Sequence, residues 1–137
     1  MAKTEKLSYH NAEKYAYTLW SECEKETDSR LRLSNRVFGL VLMLGLESGA
    51  RISDLLKMKY SDIKEMKDRP NVFALNYYVT KSKAYHKWVI SAQLKGRIDI
   101  TREWLKLEYG YYGDYIFYNP KANKPFTREW ASKRVSV

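Results

Sequence analysis

The sequence predicts an α+β fold that is mainly helical, with helices packed around a small antiparallel β-hairpin or sheet. Several segments have apolar residues at helical spacing, and two adjoining segments near the middle alternate in polarity as strands do. The 137 residues suffice for one domain with a hydrophobic core and are too few for two. We therefore expect residues 1–137 to form a single domain.

Apolar spacing predicts the first two helices. The first follows Ser8 as its N-cap and ends in the acidic loop from Glu22 to Asp28. Its apolar stripe consists of Ala12, Tyr15, Ala16, Leu19, Trp20 and Cys23. The second helix, with Ser34 as N-cap, is apolar on nearly every side as far as Leu46, which is typical of a buried helix. Gly49 can take the left-handed conformation that ends it.

The middle of the chain predicts a short helix followed by a hairpin. Ile52 to Met58 form the short helix, and a turn-like stretch from Lys67 to Pro70 precedes the strands. Val72 to Thr80 and Tyr85 to Ile90 alternate in polarity. The four residues between these two segments are few enough for an antiparallel hairpin with a basic tip.

The C-terminal part predicts two more helices. The longer one runs from Ala92 to Glu108 and is broken by Gly110. We expect Asp114 to Tyr118 to be extended, Asn119 to Pro125 to form a loop, and Thr127 to cap the last helix.

The charge is strongly positive and unevenly distributed. With 25 Lys and Arg against 16 Asp and Glu, the formal net charge is +9, and residues 29–137 carry all of the excess. Clustered Lys and Arg favour a polyanionic partner, and nucleic acid above all, because phosphate neutralisation releases counterions. A solvated basic surface without a partner is the alternative. A membrane surface is less favoured, since the basic residues do not line one helix face.

Few residues are available for metal or disulfide chemistry. Cys23 is the only cysteine, and His10 and His86 lie far apart without metal-ligand spacing. We therefore expect no metal, no cofactor and a reducing compartment. The longest apolar run, Val41 to Leu46, is too short to span a bilayer, and the N-terminus has no signal sequence, so we expect a cytoplasmic protein.

Arg51 is the first candidate site residue. It follows the end of the buried helix, where a rigid backbone can hold a guanidinium in one orientation, and Asp54 three residues later can brace it. This pattern indicates a preorganised anion site. For an isolated R-x-x-D, however, an ordinary surface arginine is the more common interpretation.

The basic hairpin tip is the second candidate. Thr80, Lys81, Ser82 and Lys83 form it, and a hairpin tip can reach into a groove and bring an ammonium group beside a phosphate. The alternative is a solubilising tip. A third candidate is the start of the last helix, where Thr127 and Arg128 could contact a phosphate or a base edge, or could be a plain N-cap with an exposed arginine.

Three segments resemble the tyrosine recombinase (phage integrase) family. The string LMLGLESGARISDLLKMKYSDI, from Leu42 to Ile63, is similar to the family's first conserved box, with Asp54 where the family typically has Glu. The string TKSKAYHKWVIS matches the shape of the hairpin that carries the family's lysine, although it lacks the usual proline. The string IFY, followed by a turn and KPFTR, resembles the segment whose helix approaches the duplex.

The resemblance implies roles for these residues. Arg51 corresponds to a catalytic arginine and Lys81 to the catalytic lysine that acts as general acid, with Lys83 as the fallback for that lysine and Asp54 in support. The residues implied to contact double-stranded DNA are Lys83, Lys87, Thr127 and Arg128. The implied fold is that of a DNA breaking-rejoining enzyme, of which this chain would form about the N-terminal two-thirds of the catalytic domain. The family's chemistry needs no metal and no ATP.

The resemblance also implies what this chain lacks. Family members continue into an H-x-x-R box and a tyrosine nucleophile, and neither histidine here has an arginine three residues later. The tyrosines of the C-terminal part, Tyr109 to Tyr118, all precede the place where that box belongs. We therefore expect this chain, as a catalytically incomplete domain, to bind DNA without cleaving it and to be a monomer in solution.

Two other classes of function remain open from the residues alone. Tyr77, Tyr78, Tyr85 and Trp88 on the hairpin could form a stacking platform, as in a non-catalytic module that binds single-stranded nucleic acid. A protein-interaction domain is the third class, and it would show no salt-sensitive binding of nucleic acid.

Overall fold

The computed structural model describes residues 9–23, 25 and 27–136. The elements in chain order are helices and strands α1 (Tyr9–Cys23), α2 (Ser29–Ser48), α3 (Ile52–Leu55), β1 (Ile63–Met66), β2 (Arg69–Val79), β3 (Ala84–Ile90), α4 (Ala92–Tyr109), β4 (Tyr118–Asn119), β5 (Lys124–Pro125) and α5 (Arg128–Ser136). Strands β1, β2 and β3 form an antiparallel sheet in that order, and β4 pairs with β5. The predicted α+β class is therefore confirmed.

Helix α2 begins earlier than the sequence suggested. The backbone N–H of Leu31 donates to the Asp28 carboxylate at 3.4 Å, so Asp28 occupies the capping position and Ser34 lies inside the helix. The prediction of Ser34 as N-cap was wrong because an earlier side chain of the same capping class satisfies the helix start. The predicted cap of the first helix, Ser8, lies outside the described residues.

The core forms around α2. Side chains of α2 with at most 1% exposure are Val37, Phe38, Leu40, Val41 and Leu44. α1 packs closely against α2 at Gly39, where an added Cβ would lie 3.2 Å from the carbonyl oxygen of Ala16. The helix ends at Ser48, and Gly49 has a φ of 70°. The predicted burial and left-handed end of this helix are thus confirmed.

The sheet has one strand more than the predicted hairpin. Strand β1 pairs with β2, with Ile63 opposite Leu75, and a bulge shifts the register next to Met66. Arg69 and Pro70, which were expected in a turn, belong to β2. Asn71 has a φ of 65° and its backbone N–H donates to the Glu65 carboxylate at 2.7 Å. β1 was not predicted because it has only four residues, and two adjacent charged side chains among them leave no clear alternation of apolar and polar residues.

The C-terminal elements follow the predicted order. Ser91 accepts a hydrogen bond from the Leu94 N–H at 3.2 Å and caps α4, which ends at Gly110 with a φ of 64°. Beyond it, the Ile116 N–H donates to the Met58 carbonyl at 3.2 Å. This hydrogen bond ties the segment before β4 to the loop after α3. Of the stretch predicted to be extended, only Tyr115, in a bridge with Lys59, and Tyr118, in β4, pair as strand residues.

Arg36 of α2 links three helices. The side chain is 3% exposed, and its guanidinium carbon lies 4.9 Å from the ring centroid of Trp20 in α1 and 4.8 Å from that of Trp104 in α4. A cation between two aromatic faces is stabilised by both ring quadrupoles, and more so where water is excluded. The arginine therefore joins α1, α2 and α4 at a buried position.

We predict that Arg36→Ala lowers the free energy of unfolding by about 3 kcal/mol, because two desolvated cation–π contacts and the packing of the side-chain stem are lost. Arg36→Lys should cost less, although an ammonium cannot stack as a planar guanidinium does. Urea unfolding followed by circular dichroism measures both variants. The exposed Arg69→Ala is the control and should change stability by no more than about 0.5 kcal/mol. Equal effects of Arg36→Ala and Arg69→Ala would contradict the role of the stack.

Candidate functional site

Arg51 lies directly before α3, with an extended backbone at φ −72° and ψ 150°. Its carbonyl accepts the N–H groups of Asp54 at 3.0 Å and Leu55 at 2.8 Å, which fixes the backbone at the helix start. The side chain is exposed, and among the described residues no hydrogen bond or ion pair engages its guanidinium. The backbone of Arg51 is thus fixed, and its guanidinium is open to an anion from solvent.

Asp54 does not brace Arg51 in the way the sequence suggested. Within the described part of the chain, no ion pair joins the two side chains. The Thr80 hydroxyl donates instead to Asp54 Oδ1 at 2.7 Å, and the carboxylate is 3% exposed. A buried carboxylate needs such a donor, since burying it without one is costly. Asp54 therefore attaches the hairpin to α3 through Thr80 instead of bracing Arg51. Its supporting role in the site remains a prediction.

The predicted basic tip is the turn from Thr80 to Lys83. Lys83 has a φ of 54°, and its N–H donates to the Val79 carbonyl at 2.8 Å, which closes the turn. Lys81 and Lys83 are both exposed. Because Thr80 donates to Asp54, the start of the tip lies beside the helix that follows Arg51.

The start of α5 forms as predicted. The Trp130 N–H donates to Thr127 Oγ1 at 3.1 Å, and Arg128 is exposed in the first turn. The Trp130 ring anchors the helix, with its centroid 4.2 Å from that of Phe126 and 5.8 Å from that of Phe38. Helix α5 also contacts α3. All three predicted site segments thus lie next to α3: Arg51 directly precedes it, Thr80 donates to its Asp54, and α5 contacts it.

Lys87 lies away from this group. It stands opposite Asn76 in the β2–β3 ladder, four residues or about 13 Å of strand from Lys83. Directly opposed residues share a face of the sheet, so Lys87 and Asn76 lie on the same face as the pair Tyr78 and Tyr85. We call this the outer face.

The predicted platform of four aromatic residues was wrong. Tyr77 pairs with His86 and Trp88 pairs with Leu75 on the opposite face, and Tyr77 is 8% exposed. Strand residues alternate between faces, so neighbours such as Tyr77 and Tyr78 cannot present their rings together. Only Tyr78 and Tyr85 remain on the outer face, with ring centroids 5.2 Å apart in an edge arrangement.

Two lysines without a predicted role line a groove of about 230 Å³ together with Asp54. These are Lys57 and Lys59, and the Lys59 ammonium lies 5.3 Å above the ring of Tyr115. The two lysines are two residues apart, directly after a short helix. This spacing did not predict that both would line one groove. The position of Thr80 against Asp54 was equally hidden, because 26 residues separate them.

Several tyrosines are held as neutral phenols. Burial raises the pKa of Tyr60, and the Arg102 guanidinium above the ring only partly opposes this. Burial likewise raises the pKa of Tyr109 and of Tyr111. An activated nucleophile has a lowered pKa or an adjacent base, so the environments of these three phenols do not favour nucleophilic attack.

Two further observations concern the described residues alone. No group of three His, Cys, Asp or Glu side chains there is arranged to hold a metal ion. None of the helices described is both long enough and apolar enough to cross a membrane.

Comparison with known proteins gives matches only among solved structures, since no protein-family profile matches the sequence and no curated protein matches it either. One similar structure is the site-specific recombinase XerH bound to its difH substrate in a pre-cleavage complex. It has a TM-score of 0.60 and 20% identity, over 92% of this chain and 33% of that one. A second is XerH bound to palindromic difH in a post-cleavage complex. It has a TM-score of 0.61 and 19% identity, over 97% of this chain and 36% of that one. The present chain spans about a third of the length of these proteins.

We predict that Thr80→Val lowers the free energy of unfolding by about 1–3 kcal/mol, because the nearly isosteric side chain leaves the buried Asp54 carboxylate without its donor. Thr80→Ser retains a hydroxyl and should restore most of the loss. Chemical denaturation of the three proteins under one set of conditions measures the difference. If Thr80→Val were as stable as the unmodified chain, the hydrogen bond would not be what holds the tip.

Proposed function

Because this chain has a tyrosine recombinase-like fold, we propose that it binds duplex DNA and that Arg51 and Lys81 contact the same backbone phosphate. The observation that carries the proposal is the hydrogen bond from Thr80 to Asp54, which joins the hairpin tip to the segment that begins with Arg51. XerH, the similar protein, has been observed bound to a DNA substrate.

The reach of the two side chains supports a shared phosphate. Arg51 precedes Asp54 by one helical turn, a spacing of about 5–6 Å between Cβ atoms. Lys81 follows Thr80 by one residue, or about 3.8 Å between Cα atoms. Two long cationic side chains therefore begin on either side of one short hydrogen bond. Both are exposed, so an anion can approach them from solvent.

The two cations offer different kinds of contact. A guanidinium can donate two parallel hydrogen bonds to phosphate oxygens, whereas an ammonium is a compact charge with three donors. In the reaction that the resemblance implies, the arginine stabilises the negative charge of the pentavalent phosphorus, and the lysine protonates the leaving 5′-oxygen. We propose these roles for Arg51 and Lys81, with Lys83 of the same tip as the alternative proton donor.

Other basic residues extend the proposed DNA contact. Arg128 at the start of α5 is exposed, and the first backbone N–H groups of a helix favour phosphate. Thr127 caps that helix with its hydroxyl. We propose that Thr127 and Arg128 contact the duplex beside the phosphate held by Arg51. The high positive charge of the chain would supply the electrostatic part of the affinity.

Binding without cleavage is the second part of the proposal. The 137 residues contain no H-x-x-R sequence and no tyrosine beyond Tyr118. Of the groups that the implied reaction uses, they supply one arginine and one lysine. We propose that the chain of this length grips a phosphate and does not break the phosphodiester bond. Strand exchange would belong to a protein that also carries the missing groups.

We predict that Arg51→Gln weakens duplex binding about five- to tenfold near physiological salt and reduces the slope of log affinity against log salt by about one, because one phosphate contact is lost. Lys81→Gln should act in the same direction. Lys64→Gln removes an equally exposed charge from strand β1 and is the matched control, with an effect of about twofold or less. Fluorescence anisotropy with a labelled duplex across a salt series measures all three. If Arg51→Gln and Lys64→Gln lowered the duplex affinity equally, Arg51 would be an ordinary surface charge and the proposal would be wrong.

We further predict that the chain forms no covalent adduct with a nicked suicide DNA substrate, because the groups for attack on phosphorus are incomplete. The products are separated on a denaturing gel, beside a complete tyrosine recombinase on its own substrate as positive control. A shifted band that survives denaturation and disappears on protease treatment would contradict the proposal.

A further inference from the structure

The outer face of the sheet carries two grooves that meet at one residue. The first is the groove of about 230 Å³ that contains Asp54, and Asn76, Tyr78 and Tyr85 also line it. The second, of about 310 Å³, is lined by Lys64, Lys67, Asn76 and Lys87 among others. Because Asn76 belongs to both, the grooves form a continuous path from the Asp54–Thr80 hydrogen bond across the outer face. Volumes this small, open to solvent and joined end to end, fit an extended ligand better than an enclosed small molecule.

Two aromatic rings line the first groove. Tyr85 is 76% exposed and Tyr78 is 44% exposed, and each is far more open than the ring of Tyr77 on the other face. They meet edge to face, with an interplanar angle of 67°, which leaves a ring face of Tyr85 accessible to solvent. An open aromatic face next to basic residues is the arrangement on which unpaired bases stack.

Lysines line both grooves. Lys57 and Lys59 line the first groove, and Lys64, Lys67 and Lys87 line the second. The grooves also contain four carboxylates, those of Asp54, Asp62, Glu65 and Asp68, and two of these accept hydrogen bonds from the protein itself. Asp54 accepts the Thr80 hydroxyl, and Glu65 accepts the Asn71 N–H. Lys87 lies two residues from the exposed ring of Tyr85 on the same face of the sheet, so an ammonium group stands beside a stacking surface, which fits a strand with unpaired bases.

From this arrangement we infer that the outer face of the sheet binds single-stranded DNA, with a base stacked on Tyr85 and phosphates near Lys87 and Lys64. A paired duplex does not fit this role, because its bases are stacked on one another and present only their edges. The choice of DNA over RNA rests on the proposed function, since the path begins beside the tip that is proposed to hold a DNA phosphate.

The test is fluorescence anisotropy of the full 137-residue chain with labelled oligothymidylate of about 12 nucleotides, a length within the range that single-strand sites cover. Tyr85→Ala should weaken this binding about tenfold and leave duplex binding within about twofold. Tyr85→Phe retains the ring and should bind like the unmodified chain. Tyr112→Ala is the matched control, because Tyr112 is 75% exposed and lines neither groove. Lys87→Gln should reduce the salt dependence of oligothymidylate binding.

The outcomes separate this inference from the proposed function. Arg51→Gln should weaken duplex binding while changing oligothymidylate binding little. Unchanged oligothymidylate binding by Tyr85→Ala would overturn the inference, and so would an equal loss for duplex and single strand. Oligouridylate bound as tightly as oligothymidylate would overturn the choice of DNA. Tyr85-dependent binding of the single strand without any duplex binding would refute the proposed function and support the sheet-face site.

Discussion

Helix α2 has almost no side that could face water, and this constraint determines where the other elements lie. Val37, Phe38, Leu40 and Val41 are each at most 1% exposed, and because these neighbouring residues point in different directions around the axis, the middle of the helix has partners on every side. Helices α1, α3 and α4 contact it, and α5 reaches it through the pair Phe38 and Trp130. Because the helix is fixed on every side, the chain that leaves it at Gly49 starts from a rigid point. Arg51 follows two residues later, so the burial of one helix positions a surface cation.

The candidate site combines this rigid start with a long-range connection. Arg51 owes its position to the end of α2, whereas Lys81 owes its position to the hydrogen bond between Thr80 and Asp54. The carboxylate at the centre of the arrangement is therefore internal to the fold, whereas the side chains of Arg51 and Lys81 beside it are exposed. An anion that approaches meets the ammonium and guanidinium groups first. This separation of a buried acid from exposed bases explains how a site for phosphate can include an aspartate.

Local patterns predicted the elements whose causes are local. The cap Thr127, the left-handed Gly49 and the helix break at Gly110 act within a few residues, so the sequence identified them. The prediction of Ser34 as N-cap was wrong because Asp28, an earlier residue that can also cap a helix, accepts the hydrogen bond at the start of α2. Contacts across the fold were beyond such patterns: the partner of Asp54 lies 26 residues away, and the rings around Arg36 belong to two other helices. The similarity of motifs identified the fold where spacing could not.

The unequal lengths of the strands give the hairpin a gradient of stiffness. Near Leu75 the central strand pairs with a strand on each side, but β1 pairs no further than Ile63, so the part from Asn76 to Val79 pairs with β3 alone. The root of the hairpin therefore resists bending more than its tip, which is braced by a single side-chain contact. If a bound molecule displaced Lys81, the residues at the end of the hairpin would move, and the hydrophobic core would keep its shape.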